Sequence, residues 1–357
     1  MGKGYLVLEN GAVFEGELAG DIEASGEVVF NTSMTGYQEI VSDPSYAGQI
    51  IVFCYPQIGN YGINHLDSES EHLHLHGVVT GEQCETPSHY LSNSSFSKGL
   101  TEHGIPSLTN VDTRALVKML RDHGTMKGKL VPEVPAEHNN WNFEKSYVPF
   151  VSVKEIKHYP GKGPHIVLMD FGYKKSILTS LQSLECAVTV VPFNTTVDNF
   201  VDIQPDGVVL SNGPGDPEAL SPYYDTIRVI SETYPVFGIC LGHQLLALAH
   251  GATTRKLTFG HRGSNHPVKH LETGKVYITS QNHGYEVVRE SLENTGLSPT
   301  FINLNDKTVE GLKHHKYDIQ SVQFHPEAHA GPADTAFLFK TFMQQITRTG
   351  DQHYAFT

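Results

Sequence analysis

The stretch Pro235-Val-Phe-Gly-Ile-Cys240-Leu-Gly-His-Gln-Leu-Leu-Ala-Leu-Ala-His250 decides the architecture of this chain. Its first half is an apolar run without polar alternation, the pattern of a strand buried on both faces. Its second half carries apolar residues at helical spacing. Between them, Gly238-Ile-Cys240-Leu-Gly242 fits the strand-to-helix elbow G-x-nucleophile-x-G, with cysteine in place of serine. The glycines have a physical reason, because the nucleophile of such an elbow sits on a strained turn and a Cβ at either flank would collide with neighbouring strands. The turn sets the sulfur at a helix N-terminus, where the macrodipole favours a thiolate. It also leaves the Leu241 N–H without an intrahelical partner, free to meet a developing oxyanion. A buried cysteine is often only a small core residue. Both glycines, the strand before and the helix after favour a nucleophile.

Outward from the elbow the same alternation continues. HIVLMDF (165–171), CAVTVVPF (186–193) and DGVVL (206–210) read as buried strands, with helical patterns over 174–184 and 196–203. Strand–helix alternation of this kind predicts an α/β fold, a mostly parallel, doubly wound sheet over residues 165–350. Beyond about residue 253 the pattern turns antiparallel, with short strands near 275–280 and 318–324 and a last helix from Pro332, a first-turn proline. Residues 1–130 read as a β-rich α+β domain. There Tyr5–Glu9 and Ala12–Leu18 flank Asn10-Gly11, a two-residue hairpin signal, and β-prone runs follow at Glu27–Asn31 and Gln49–Tyr55. One helix is capped by Asp112 and ended by Gly124. Residues 131–164 hold five prolines and the only tryptophan, and are expected to connect the two domains.

Two domains also suit 357 residues. Lys+Arg number 25 against 39 Asp+Glu, a net charge of −14 that argues against nucleic acid or an anionic membrane as partner. No apolar run approaches the roughly 20 residues of a bilayer span, and MGKGYLVLENG lacks a signal-peptide core. Four scattered cysteines offer neither a disulfide framework nor a metal knuckle, so a reducing cytoplasm is expected. Among 21 histidines, His72, His74 and His76 alternate as if along one strand face. Without a nearby cysteine or acidic ligand set they are read as an ordinary strand surface, with no metal expected.

A cysteine nucleophile needs a base and an orienting group. His325-Pro-Glu327 supplies both, since residues i and i+2 of an extended segment point the same way and Glu327 can fix the tautomer of His325. His243, beside the nucleophile in sequence, is the rival base, but it starts the helix and ranks below His325. Ser211-Asn-Gly213-Pro-Gly215-Asp-Pro217 follows a buried strand, and its glycines permit a nest of backbone N–H groups facing a negative oxygen. It is no P-loop, since no G-x-x-x-x-G-K-[ST] occurs.

An elbow cysteine, a distant His-x-Glu and a Gly-Pro-Gly loop, in this order, resemble the class I (triad) glutamine amidotransferases. By that resemblance Cys240 attacks the glutamine side-chain amide, His325 carries the proton to departing ammonia, and Glu327 orients His325. The N–H groups of Gly215 and Leu241 then hold the oxyanion. FNTSMTGYQEI (30–40), SDPSY (42–46), YPQIGNYG (55–62) and VDTR (111–114) in turn resemble the carbamoyl phosphate synthetase small-subunit family, as do FGHRGSNHPV (259–268) and SQNHGY (280–285). The resemblance runs from Tyr5 to about Phe342. It implies glutamine-binding roles for Ser45, Gly213, Gly215, Leu241, Gln244, Asn282, Gly284 and Tyr285, the last standing where phenylalanine is usual. It implies a large-subunit partner that receives the ammonia and carries the ATP, Mg and bicarbonate chemistry, no cofactor in this chain, and a complex open to higher oligomers. Arginine and pyrimidine synthesis remain alternatives for the product. A stand-alone cysteine hydrolase would need neither the FNTSMTGYQEI domain nor Glu327, and an inert regulatory subunit would lose the triad.

Overall fold

Continuous apolar runs such as Val28-Val29-Phe30 and Ile50-Ile51-Val52-Phe53 need cover on both faces, and the first unit of the chain supplies it by closing a barrel. In the computed structural model, which describes residues 2–20, 23–135, 141, 143–144 and 146–354, the chain forms two units. They are Met1–Glu144 with Thr258–Gly263, and Lys145–Leu257 with Ser264–Thr357. The barrel runs Gly2–Leu8, Val13–Ala19, Ser107–Thr109, Gly77–Val79, Gln49–Phe53, Ala24–Asn31 and Met126–Val131, which returns to Gly2–Leu8. Period two sorts its residues. Val28, Ile50 and Val52 join one core with Leu116 and Leu120 of the helix Thr113–His123, whereas Val29, Ile51 and Phe53 join another with Tyr37, Tyr46 and Phe96. Asp112 caps that helix by accepting the Ala115 N–H at 2.9 Å, and Gly124 ends it at φ 91°. Thr258–Gly263 fastens to this unit through backbone bonds from Thr125 N to Thr258 O (2.9 Å) and from Thr32 N to Arg262 O (3.2 Å).

Two expectations for these regions are corrected. The Asn10-Gly11 turn is four residues long, because the Asn10 carboxamide accepts the Ala12 N–H at 3.0 Å and the Leu8 N–H closes on Ala12 O. His72, His74 and His76 lie on irregular chain ahead of Gly77–Val79, not on a strand; His76 Nδ1 is committed to Ser25 O at 2.7 Å. The 131–164 stretch falls partly outside the described residues, and within it Lys157–Tyr159 is a strand paired antiparallel with Ala187–Pro192.

The second unit is built on five parallel strands in the order Ala187–Pro192, His165–Asp170, Gly207–Leu210, Val236–Ile239 and Ile319–Val322. Strands from 254–314 extend the sheet in antiparallel fashion. Alternate residues of each parallel strand feed cores on opposite faces. Leu168, Val209 and Phe237 pack with the helices Lys175–Ser183 and Phe337–Tyr354, while Met169, Leu210 and Val236 pack with the helices Tyr224–Thr233 and Leu241–Ala249. The last helix starts at Phe337 rather than Pro332, since residues 330–336 form bends and turns first. No helix among the described residues is long and apolar enough to cross a membrane.

Phe342 anchors that last helix, fully buried with its ring 5.7 Å from Phe237. Phe342→Ala is expected to destabilise the second unit by about 3–5 kcal/mol, the usual cost of deleting a core phenylalanine. Urea denaturation followed by far-UV CD checks this, and a shift below about 1 kcal/mol would mean that the helix is not docked through this ring.

Candidate functional site

Cys240 ends the strand Val236–Ile239 and caps the helix Leu241–Ala249 at φ 54°, ψ −100°, a left-handed backbone that a side-chain-bearing residue adopts only under constraint. Its own N–H donates to Val322 O at 2.8 Å, and the Gly242 N–H donates to Ser211 O at 3.0 Å. A Cβ on Gly242 would press into Leu210 O, and one on Gly238 would lie 2.8 Å from the Gly242 carbonyl. The glycines thus let the helix come down onto the sheet. Leu241, as first helical residue, keeps a backbone N–H that the helix does not use.

The structure brings His325 and Glu327 to this elbow. The His325 N–H donates to Ser280 O at 2.9 Å, which sets the residue against the strand Val276–Val287. His325 Nδ1 donates to Glu327 Oε1 at 2.6 Å, so its Nε2 is the nitrogen left for the thiol. Cys240 Sγ points at Asn282 O, 3.6 Å away. Burial opposes a charge on His325, but the Glu327 carboxylate, with the Cys240 and Glu327 side-chain contacts, outweighs it and pushes the imidazole up to about 10. Burial also opposes ionised Glu327, yet Lys174 and then His325 hold that carboxyl down at about 2. His243 is different. It is fully buried, its Nδ1 meets Ser321 Oγ at 2.9 Å, and burial pushes it down to about 3, which makes it a neutral structural group.

Among the other expected residues, Gly213 lies against Phe171 and Leu241, and Gly215 holds φ 90° beside open space. Gln244 Nε2 donates to Tyr285 O (2.9 Å) and Gln323 Oε1 (3.0 Å); Asn282 is buried, while Gly284 and Tyr285 are half-buried. All of these belong to the second unit. Ser45 belongs to the first, and its Pro-Ser-Tyr stretch is not a surface turn: Ser45 and Tyr46 are buried, the Asp43 carboxylate accepts the Ser45 N–H at 2.9 Å, and Asn31 Nδ2 donates to Tyr46 OH at 2.9 Å.

Lys174 escaped the sequence reading. Its side chain is 3% exposed; Nζ lies 3.2 Å from Glu327 Oε1 and donates to Ala328 O at 2.5 Å, while its backbone N–H donates to Asn212 Oδ1 at 3.2 Å. One lysine thereby ties the Ser211–Pro217 loop to the turn that carries Glu327. Asp170 prepares it by accepting the Gly172 and Tyr173 N–H groups at 2.7 and 2.8 Å, which bends the chain just ahead of Lys174. A lysine two residues past Phe-Gly gives no sign of burial, since lysine is ordinarily a surface residue.

Two family models match this sequence: "Carbamoyl-phosphate synthase small chain, CPSase domain" over residues 6–130 and "Glutamine amidotransferase class-I" over residues 167–345. A carbamoyl phosphate synthase small chain of Bacillus cereus is 50% identical over 351 residues, covering 96% of each chain. One of Listeria monocytogenes is 49% identical over 353 residues, covering 97% of each. A carbamoyl phosphate synthase arginine-specific small chain of Halalkalibacterium halodurans is 47% identical over 352 residues, covering 98% of each.

The folded pKa of Glu327 is depressed, so its ionisation stabilises the fold above the ordinary carboxylate range and that contribution is lost as pH falls through about 2. Lys174→Met removes the larger of the two charges that hold it down. The Glu327 pKa must then rise, and acid unfolding of the second unit is expected at a higher pH than in the unaltered chain. A pH titration by near-UV CD checks this; an unchanged or lower acid midpoint would contradict the role given to Lys174.

Proposed function

The chain belongs to the carbamoyl phosphate synthase small-chain family, and from that premise we propose that it hydrolyses L-glutamine with Cys240 as nucleophile, His325 as proton carrier and Glu327 as the orienting carboxylate. The observation that carries the reading is the 2.6 Å contact of His325 with Glu327 beside a cysteine held at φ 54°. Cys240 as thiolate attacks the side-chain amide carbon of glutamine, and the oxygen turns negative facing the N–H groups of Leu241 and Gly215. The intermediate collapses as His325 Nε2 gives its proton to the leaving nitrogen, which releases ammonia and leaves a thioester. Water then attacks the thioester, His325 takes its proton, and glutamate leaves as the thiol is restored. Glu327 keeps the imidazole in the one orientation that serves both halves, and Lys174 keeps Glu327 ionised.

Gly213, Gln244, Asn282, Gly284 and Tyr285 are assigned to glutamine binding, with Ser45 added on the family resemblance alone. The ammonia passes to a large synthase subunit, where ATP, Mg and bicarbonate are used, and the glutamine step itself takes no cofactor. All four cysteines are free, which suits a cytoplasmic setting.

Cys240→Ser is expected to abolish glutamine-dependent synthesis by the assembled complex and to leave ammonia-dependent synthesis intact, because a serine hydroxyl is far less acidic than a thiol. Substantial glutaminase activity in that variant would sink the assignment. His325→Asn is expected to cost on the order of 10²–10⁴ in kcat, more than Glu327→Gln. The Glu327→Gln change removes the carboxylate that raises His325, so the alkaline limb of the kcat/KM profile is expected to move to lower pH. A limb that stays in place or moves upward would show that this carboxylate does not tune His325.

A further inference from the structure

Gln323 is fully buried, at 0% exposed, and the proposed reaction leaves it without a role. It directly follows the strand Ile319–Val322, whose Val322 O holds the Cys240 N–H, and it stands two residues ahead of His325. Its backbone N–H donates to Glu310 O at 3.0 Å. Its side chain reaches the helix Leu241–Ala249, where Gln323 Oε1 accepts from Gln244 Nε2 at 3.0 Å. The orientation of both carboxamides follows from one acceptor. Tyr285 O, 2.9 Å from Gln244 Nε2, can only accept, so the Gln244 nitrogen faces it. That same nitrogen meets Gln323, which therefore presents oxygen; turned over, it would set donor against donor. The Gln323 Nε2 is left buried and, among the described residues, without an acceptor. An apolar side chain of this length would carry no such penalty, so the carboxamide is explained by its other end.

Resting on the glutaminase reading above, we propose that Gln323 is a positioning residue that clamps Gln244, so that Gln244 meets bound glutamine as a hydrogen-bond acceptor alone. A carboxamide has two N–H groups, and here both have protein acceptors, one on the strand Val276–Val287 and one at the exit of Ile319–Val322. Only the Gln244 oxygen remains to be offered to a ligand, and glutamine has to supply the donor. Gln244 lies one helical turn past Cys240, with its own N–H on Cys240 O at 3.2 Å, so the clamp acts on the turn that begins at the thiol. Without Gln323, Gln244 keeps its tether to Tyr285 O, but its amide group gains freedom that substrate binding must remove. The Gln323 side chain bonds to Gln244 and to no member of the Cys240, His325 and Glu327 set.

The test is kinetic and uses the assembled complex. Gln323→Met removes the acceptor at nearly constant volume and is expected to raise the glutamine KM roughly 2- to 13-fold, the span of one hydrogen bond, with kcat changed less. A general structural fault would act whatever stands at position 244, whereas a clamp needs Gln244. In a Gln244→Met background, Gln323→Met is therefore expected to add less than about twofold. An equal rise in both backgrounds overturns the proposal, as does an unchanged KM in Gln323→Met alone. A second measurement needs no variant to fold. In the full chain labelled with 15N in its glutamine side chains, both Gln244 amide protons are expected downfield of the ordinary carboxamide position, and neither Gln323 proton is. A Gln244 pair with one unshifted proton, or a shifted Gln323 pair, refutes the clamp. These spectra read the carboxamides whether or not the chain hydrolyses glutamine; an unaltered complex without glutaminase activity would defeat the functional reading separately.

Discussion

The second unit depends on one backbone constraint, the turn at Cys240. A strand buried on both faces must hand over to a helix lying directly on the sheet, and no ordinary connection is that short. Cys240 absorbs the reversal at φ 54°, and Gly242 lets the helix settle against Leu210 O. That strain is tolerated because the turn is held from several sides: Val322 O takes the Cys240 N–H, Ser211 O takes the Gly242 N–H, and Leu241, Leu245 and Leu246 bury against the sheet. A thiol, an N–H unused by the helix and a helix N-terminus come together here because they belong to one turn.

Around that turn, burial and charge are played against each other differently for neighbouring histidines. His243 meets a serine hydroxyl in an otherwise desolvating place and stays neutral, pushed down to about 3. His325 is equally buried but faces a carboxylate, and its pKa goes the other way, to about 10. Sequence proximity made His243 a rival base, yet its surroundings keep it neutral, while those of His325 favour the charged ring. The sign follows from which interaction outweighs desolvation.

The buried lysine has the same logic. An isolated ammonium in this interior would be costly, and so would an isolated carboxylate. Lys174, Glu327 and His325 form a chain of alternating charge in which each member makes the next one tolerable. Because Lys174 also binds Ala328 O while its backbone reaches Asn212, the charge pattern and the placement of two loops are one feature. The charge of Lys174 thereby enters the geometry around Glu327.

Much of this was legible in the residues. Buried strands read as unbroken apolar runs, the elbow announces itself through two glycines about a cysteine, and His325-Pro-Glu327 places two side chains on one side by the period of extended chain. Helix ends were legible where a cap is local, as at Asp112 and Gly124, and misread where it is not, as at Pro332, since a proline permits a helix start without requiring one. The Asn10-Gly11 turn lengthened because the asparagine side chain competed for backbone groups. The closed barrel, the passage of Thr258–Gly263 into the first unit, and the burial of Lys174, Ser45 and Glu310 leave no local mark. Local pattern records what a residue does to its own backbone and which face it shares. Which polar groups become buried together, and therefore which of them carry charge, depends on contacts between segments far apart in the chain, and only the tertiary structure decides those.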